Sequence, residues 1–387
     1  MRNRYGLYVH IPFCPQRCPY CAFAVATGQM DQVDRYVACV CRELAKASVM
    51  TSWADRGPLD TVFFGGGTPS RIPPAAIGRI LEAADRHLGL TSTAEITLEA
   101  NPTTAESARF DELRRLGVNR LSIGVQSLQD ETLRLLGRMH TAQEARQAFQ
   151  LARDTDFDSI NTDLIFSVPG ESAGSLDATL EAMVELSPDH ISAYALSVEE
   201  GTPFHSRRMR GQLPEVDEDD DAAAFGQIRQ GLQAAGYEHY EISNYGRPGH
   251  RCQHNWDCWT GGEYLGVGLS AHSYVHGLRW WNTSELATYC DRMESDTPAC
   301  VGQEPIGPQK ALEERVWLGL RTCDGVELEP EHVRGVSHSV PLQGLIQSGR
   351  LELRGHNLRL IDEGFALADA VTASVLEQVT SGEAVVG

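Results

Sequence analysis

Short apolar, β-rich runs alternate with amphipathic segments through the first half of the chain. The candidate strands are YGLYVHI (5–11), TVFFG (61–65), EITLE (95–99), RLSIGV (120–125), SINTDLIF (159–166) and HISAYAL (190–196). Between them lie patterns with helical spacing. The clearest, TAQEARQAFQLAR, opens with Thr141 and Glu144 as a capping box. Another runs from about Thr104 to Leu116 and stops at Gly117, as helix C-termini do. Strand then helix, repeated about six times, is the signature of a parallel sheet, either open and doubly wound or curled into an incomplete barrel. The polar positions favour the barrel. Cys14 follows the first strand, Gly65 to Thr68 the second, Glu99 closes the third, Gln126 follows the fourth, Asp163 lies on the fifth, and the sixth leads into SVEEGTPF. Barrels build their sites from that rim, the carboxyl ends of the strands. The expected fold class is α/β, an incomplete (β/α)6 TIM-like barrel over residues 1–205.

Past about residue 205 the pattern changes. A helix from roughly Asp219 to Ala235 leads into a segment rich in aromatics, histidines and glycines, so that 206–300 reads as an extension of the barrel. From about Gly307 a helical stretch, QKALEERVWLGLRTCDGV, precedes strand-like RLELRGHNLRLIDEG. This predicts a small helical or winged-helix-like domain over 301–387.

Composition narrows the functional class. The chain has 387 residues, 42% hydrophobic and 22% charged, and no apolar run reaches the roughly 18 residues of a membrane span. The first residues lack the apolar region and cleavage site of a signal peptide, so a cytoplasmic location is expected. A net charge of -20 argues against nucleic acid as a partner. The acidic run EVDEDDD, Glu215 to Asp221, reads as a solvated loop entering a helix. Ten cysteines over this length, three of them clustered, are not the disulfide framework of a small secreted domain.

Those three, Cys14, Cys18 and Cys21, stand at C-x3-C-x2-C in a loop marked by Pro12, Pro15 and Pro19. A structural zinc site uses four protein ligands, commonly in C-x2-C pairs; Cys39 and Cys41, or Cys252 and Cys258, would have to complete it. A [4Fe-4S] cluster normally takes four cysteines, so three leave one iron open to chemistry. Downstream, FFGGGTPS (63–70) places three glycines and a threonine after a strand, where backbone can pass close to a ligand. Together the cysteine spacing, Tyr20 before the third cysteine and the glycine segment resemble the radical S-adenosylmethionine superfamily. That resemblance implies a [4Fe-4S] cluster whose open iron chelates the methionine part of S-adenosylmethionine. The reduced cluster then splits the sulfonium to a 5'-deoxyadenosyl radical.

Further motifs, YVHIPFC, GGGTPS, LEANP, GVQSL, DLIFSVPGES and GVGLSAHSY, cover residues 5 to about 275. They are similar to the coproporphyrinogen III oxidase-like branch of that superfamily. By position, the resemblance places Tyr8 and Tyr20 beside the cluster. It sets Gly66, Gly67, Thr68, Glu99, Gln126, Arg138, Asp163 and Ala195 against the cofactor. The oxidases of the branch carry a further cysteine two places after the third and a long N-terminal extension. Here Ala22 and Phe23 follow Cys21, and the first strand begins at about Tyr5. Both features point to the branch's heme chaperones. So does HNWDCW (254–259), which resembles their H-N-x-x-Y-W segment with Cys258 in place of tyrosine. A neutral imidazole can ligate heme iron, which makes His254 the candidate heme ligand with Trp256 and Trp259 as stacking partners. His272, in GLSAHSY, either faces the rim or lies in the core. The resemblance thus implies a protein that binds heme, a [4Fe-4S] cluster and S-adenosylmethionine and passes heme to respiratory-chain apoproteins. The alternative is an oxygen-independent coproporphyrinogen III oxidase. Peripheral membrane association and homodimerisation are left open.

Overall fold

The computed structural model describes residues 4–49, 53 and 56–380. Six strands, β1 (Tyr5–Ile11), β2 (Leu59–Gly66), β3 (Leu90–Ala100), β4 (Arg120–Gln126), β5 (Ser159–Phe166) and β6 (His190–Ala195), pair side by side in chain order. Every one of these pairings is parallel. A hairpin of β7 (Glu238–Glu241) and β8 (Asn244–Gly246) covers one edge, with β8 antiparallel to β6. At the other edge β9 (Glu263–Val267) runs parallel to β1. An antiparallel meander of β10 (His272–Val275), β11 (Leu278–Asn282) and β12 (Cys300–Pro305) continues from it. Among the described residues β12 and β7, the two ends of the sheet, do not pair with each other, so the barrel is incomplete, and strands between residues 238 and 305 extend it at both edges.

Side chains alternate across this wall as strand geometry requires. On β4, Leu121, Ile123 and Val125 join the apolar core, while Arg120, Ser122, Gly124 and Gln126 line an interior cavity. On β5, Ile160, Leu164 and Phe166 face the core, and Asn161, Asp163 and Ile165 the cavity. The interior of the barrel is therefore polar. Its outer face carries the hydrophobic load under helices such as Val33–Ala47 and Pro74–Leu88.

The helix Ala142–Asp154 has the expected capping box of Thr141 and Glu144. The helix expected over 104–116 is broken into Thr104–Ser107 and Phe110–Arg115. Arg109, at φ -105 and ψ 0, leaves the helical region, and its guanidinium donates to the carbonyls of Arg71 and Ile72. The acidic run opens the helix Glu218–Ala234, where Asp217 caps the end and four acidic residues fill the first turn, the favourable sign for the helix dipole. At the C-terminal end, helices Pro308–Gly319, Pro330–His338, Val340–Gln347 and Ala368–Thr380 surround a three-stranded sheet of Val326–Glu327, Leu351–Arg354 and Asn357–Leu360. Its core of Val316, Leu320, Leu342, Leu351 and Leu358 is separate from that of the barrel.

One buried network ties β1 to the loop after β9. The Tyr36 hydroxyl donates to the His10 carbonyl at 2.6 Å and accepts from Leu269 N–H at 2.9 Å. Glu43 accepts from Gly268 N–H, Asn282 and Tyr289. Tyr36→Phe leaves a buried carbonyl and a buried N–H unpaired, which should cost about 1–3 kcal/mol of stability. Urea denaturation measures it, and an unchanged midpoint would mean that these bonds contribute nothing net.

Candidate functional site

β1 delivers the chain to the rim, and His10 anchors the loop beyond it. Its Nε2 lies 2.8 Å from the Ala24 carbonyl, which can only accept, so Nε2 carries the proton and Nδ1 accepts from the Tyr8 hydroxyl at 3.1 Å. Burial holds this imidazole below its usual pKa, in the neutral form that the two bonds require. Phe13–Cys14 pairs with Ala26–Thr27, closing residues 14–25 into a loop over the carboxyl end of the barrel. Cys14, Cys18 and Cys21 line one cavity of about 540 Å3.

A chain of hydrogen bonds joins two of these thiols. Cys14 Sγ is 3.4 Å from Thr68 Oγ1, to which Asn101 Nδ2 donates at 3.0 Å. Arg138 donates to Asn101 Oδ1 at 2.5 Å, to the Gly124 carbonyl at 3.0 Å and to Cys18 Sγ at 3.6 Å. Burial pushes the Cys14 thiol up to about 11, against the Thr68 hydrogen bond, and burial also raises Cys21. Such thiols stay protonated at neutral pH until a metal's charge displaces the proton.

Three thiols on one cavity are one short of the four protein ligands of a structural zinc site. Tetrahedral zinc at about 2.3 Å from each sulfur needs sulfurs under about 4 Å apart. Among the described residues no group of three or more His, Cys, Asp or Glu could hold one metal ion. Cys252, a candidate fourth ligand for zinc, bonds Glu95. Cys39 and Cys41 contact the carbonyls of Cys290 and Arg79.

The glycine segment has a structural duty of its own. Gly66 has φ +107, and a Cβ there would sit 2.3 Å from the His10 ring; one on Gly67 would meet the Pro12 carbonyl carbon at 2.6 Å. The N–H groups of Gly66, Gly67 and Thr68 are already given to Glu99, Ile11 and Phe13. What the segment has left for a ligand is carbonyl oxygen, which suits a ligand that donates.

Tyr20, Gly66, Gly67, Thr68, Glu99, Gln126, Arg138, Asp163 and Ala195 all line the cavity with the three cysteines. Buried Gln126 Oε1, Arg138 Nε and Arg120 Nε find no partner in the protein, leaving one acceptor and two donors for a polar ligand. Burial and then Asp163 raise Glu99 to about 8, against the Gly66 N–H; burial also raises Asp163. Tyr8 lies beneath the rim, stacked on Phe63 and bonded to His10. Asn101, Arg120, Asn161 and Asn255 also line the cavity and were not singled out from the sequence. Asn101 lies within LEANP, and the other barrel residues stand at inward positions of their strands.

A profile of the Radical SAM superfamily matches residues 8–183. The heme chaperone HemW of Mycobacterium tuberculosis is 36% identical, with 96% of this chain and 95% of that protein aligned. HemW of Escherichia coli K12 is 42% identical over 70% of each chain. The chain belongs to the HemW heme-chaperone family. The crystallised coproporphyrinogen III oxidase HemN from Escherichia coli shares its fold, with a TM-score of 0.82 at 22% identity over 97% of this chain and 90% of that one.

The HemW-type segment HNWDCW lies elsewhere than the rim. It forms the helix Gln253–Trp259, whose first N–H groups, of Gln253 and His254, donate to the Glu95 carboxylate. Asn255 reaches the cavity and His254 is buried, with Nδ1 2.8 Å from Thr61 Oγ1 and the ring over Phe63. Thr61 and Gly6, where a Cβ would meet the His254 ring at 3.2 Å, stand near the amino ends of their strands, so this helix closes the floor of the barrel. The imidazole thus lies inside the barrel floor rather than on the rim cavity. Trp256 packs instead on Tyr240 and Arg251. His272 is exposed, stacked on Trp281, and so is not a core histidine.

Glu99 yields a pH prediction for the ligand-free protein. Its folded pKa, about 8, stands above the ordinary 4.5. The stability it allows is therefore fully present below about 4.5 and is lost as pH rises through about 8. Glu99→Gln should flatten the decline in urea-measured stability across that window. Parallel curves for wild type and variant would show that Glu99 titrates normally.

Proposed function

We propose that this chain is a heme chaperone that holds a [4Fe-4S] cluster and S-adenosylmethionine in the barrel cavity and delivers heme to respiratory-chain apoproteins. The observation that carries the cofactor reading is the convergence of three thiols on one cavity that also contains unpaired polar atoms. Cys14, Cys18 and Cys21 would hold the cluster, with Tyr20 beside it. Bound there with an open iron, the cluster supplies one-electron reduction of a sulfonium. Glu99, Asp163 and the carbonyls of the glycine segment offer acceptors to a cationic, donating cofactor. Gln126 and Arg138 have unpaired atoms to offer it, with Thr68 and Ala195 completing the wall. On this reading residues 1–205 hold the cofactors, 206–300 close the floor and sheet edges, and 301–387 form the small C-terminal unit.

The chaperone reading over the oxidase rests on family membership and on Phe23, which occupies the position of the oxidase's further cysteine and lies at the mouth of the cavity. No helix of the described residues is long and apolar enough to cross a membrane, and we place the protein in the cytoplasm, reaching its recipients by contact.

Anaerobically reconstituted protein should hold about four irons with matching sulfide. Replacing Cys14, Cys18 and Cys21 together by alanine should remove them. The intact protein should take up heme and leave coproporphyrinogen III unchanged. Vinyl-group formation dependent on S-adenosylmethionine would instead establish the oxidase, and zinc without acid-labile sulfide would refute the cluster.

His254→Ala should leave heme affinity, followed by the Soret band, within about twofold, because the ring is engaged inside the barrel. The loss of packing on Phe63 and of the Thr61 bond should lower stability by about 2 kcal/mol. A large fall in heme affinity with unchanged stability would restore His254 as the ligand and require the floor helix to open.

A further inference from the structure

Arg120 opens β4 at its amino end, and its side chain turns into the barrel to line the inner part of the cavity. It is only 4% exposed. Arg229 and Arg321, buried to a similar degree, are paired with Asp362 and Asp369. The Arg120 guanidinium makes no hydrogen bond or ion pair among the described residues, and its Nε is buried without a partner. A cation taken out of water without a counter-charge is unfavourable, so this position calls for a partner that the chain does not supply.

The acidic groups that face Arg120 are committed elsewhere. Glu95 receives Cys252 Sγ at 3.6 Å and the N–H groups of Gln253 and His254 at 3.1 Å each. Asp163 receives Asn161 at 2.7 Å and Ser122 at 3.4 Å. Asn161 also donates to Ser122 and accepts from His190 and Ser192, which exhausts its amide. Asn255 differs. It enters the cavity from the floor helix, half-buried, and its side-chain amide makes no hydrogen bond among the described residues. Phe63, packed between Tyr8 and His254, gives the same cavity an apolar wall.

We propose that the inner end of the cavity is a binding subsite for a small monocarboxylate, its carboxylate held by the Arg120 guanidinium and the Asn255 amide and its remaining atoms directed along Phe63 toward the three cysteines. Guanidinium meets carboxylate through paired N–H groups, and an amide adds a further donor. Glu95 and Asp163 face the same interior and repel each added negative charge, which favours a monoanion over a phosphate dianion. The subsite goes beyond the cofactor reading, because Arg120, Asn255 and Phe63 are not among the residues that would hold the cluster or S-adenosylmethionine, and it is independent of where heme binds.

The test titrates butyrate, its neutral isostere butyramide and inorganic phosphate into wild type, Arg120→Gln and Asn255→Asp by calorimetry, each in cluster-loaded and metal-free form. Wild type should bind butyrate saturably and about tenfold or more tightly than either butyramide or phosphate. Each variant should weaken butyrate by about tenfold or more and abolish its advantage over butyramide, Arg120→Gln by removing the cation and Asn255→Asp by facing the ligand with a like charge. Asn255→Asp is nearly isosteric and keeps the test valid if Arg120→Gln does not fold. Iron, sulfide and S-adenosylmethionine binding should match wild type in both variants, since neither side chain bonds the cluster loop. Absence of saturable butyrate binding to wild type, or equal affinity for butyrate and butyramide, would overturn the subsite and leave the cofactor reading standing. Phosphate binding as tight as butyrate would overturn the monocarboxylate assignment. Failure of wild type to take up a cluster would overturn the cofactor reading alone, because the metal-free titrations still read the subsite.

Discussion

The guanidinium of Arg138 joins three parts of the chain that share no secondary structure. It reaches Cys18 in the cluster loop, Asn101 beyond β3 and the carbonyl of Gly124 within β4. Its own segment is held by His140, whose Nε2 bonds the Val125 carbonyl; burial and then Arg138 lower that imidazole to about 4, so it donates as a neutral ring. Buried arginine is tolerated only where its donors are met or a negative charge is near. Here the donors meet an amide, a carbonyl and a thiol, and one, Nε, is left over. Thiolates formed on metal binding would lie against this fixed cation, so the loop is arranged for negative charge before any arrives. Without Arg138 the chain of bonds from Cys14 through Thr68 and Asn101 would stop short of Cys18.

A polar interior places demands on the rest of the sheet. Glu95, Arg120, Asp163 and His190 occupy inward positions that an ordinary barrel fills with branched aliphatic residues. Three of them are satisfied by neighbours and by the floor: Asn161 bonds His190 and Asp163, and Glu95 receives the amino end of the helix Gln253–Trp259, while Arg120 Nε is left without a partner in the protein. An incomplete barrel also has two exposed edges, and these are covered by added strands, antiparallel at β6 and parallel at β1, rather than by each other. The segment from β7 to β12 thus supplies what an open polar barrel requires: a floor for its charges and partners for its edges.

The six parallel strands were legible because each carries its apolar residues on the helix-covered face, a signal confined to a few consecutive positions. The rim was legible for the same local reason, since polar residues cluster where strands end. The bonds that assemble the rim were not. Cys14, Thr68, Asn101 and Arg138 come from four separate segments, and only the folded sheet register brings them together. The floor helix was hidden likewise, because Glu95 and His254 are far apart in sequence and nothing in HNWDCW says which side of the barrel it closes. Its aromatic composition suggested a ligand surface, yet packing against Phe63 and Tyr240 uses the same residue types. Cys258 follows His254 by one helical turn, and burial pushes its thiol up to about 12. Cys258 stands where the family's tyrosine is usual, half-buried on the floor helix and outside the lining of the rim cavity.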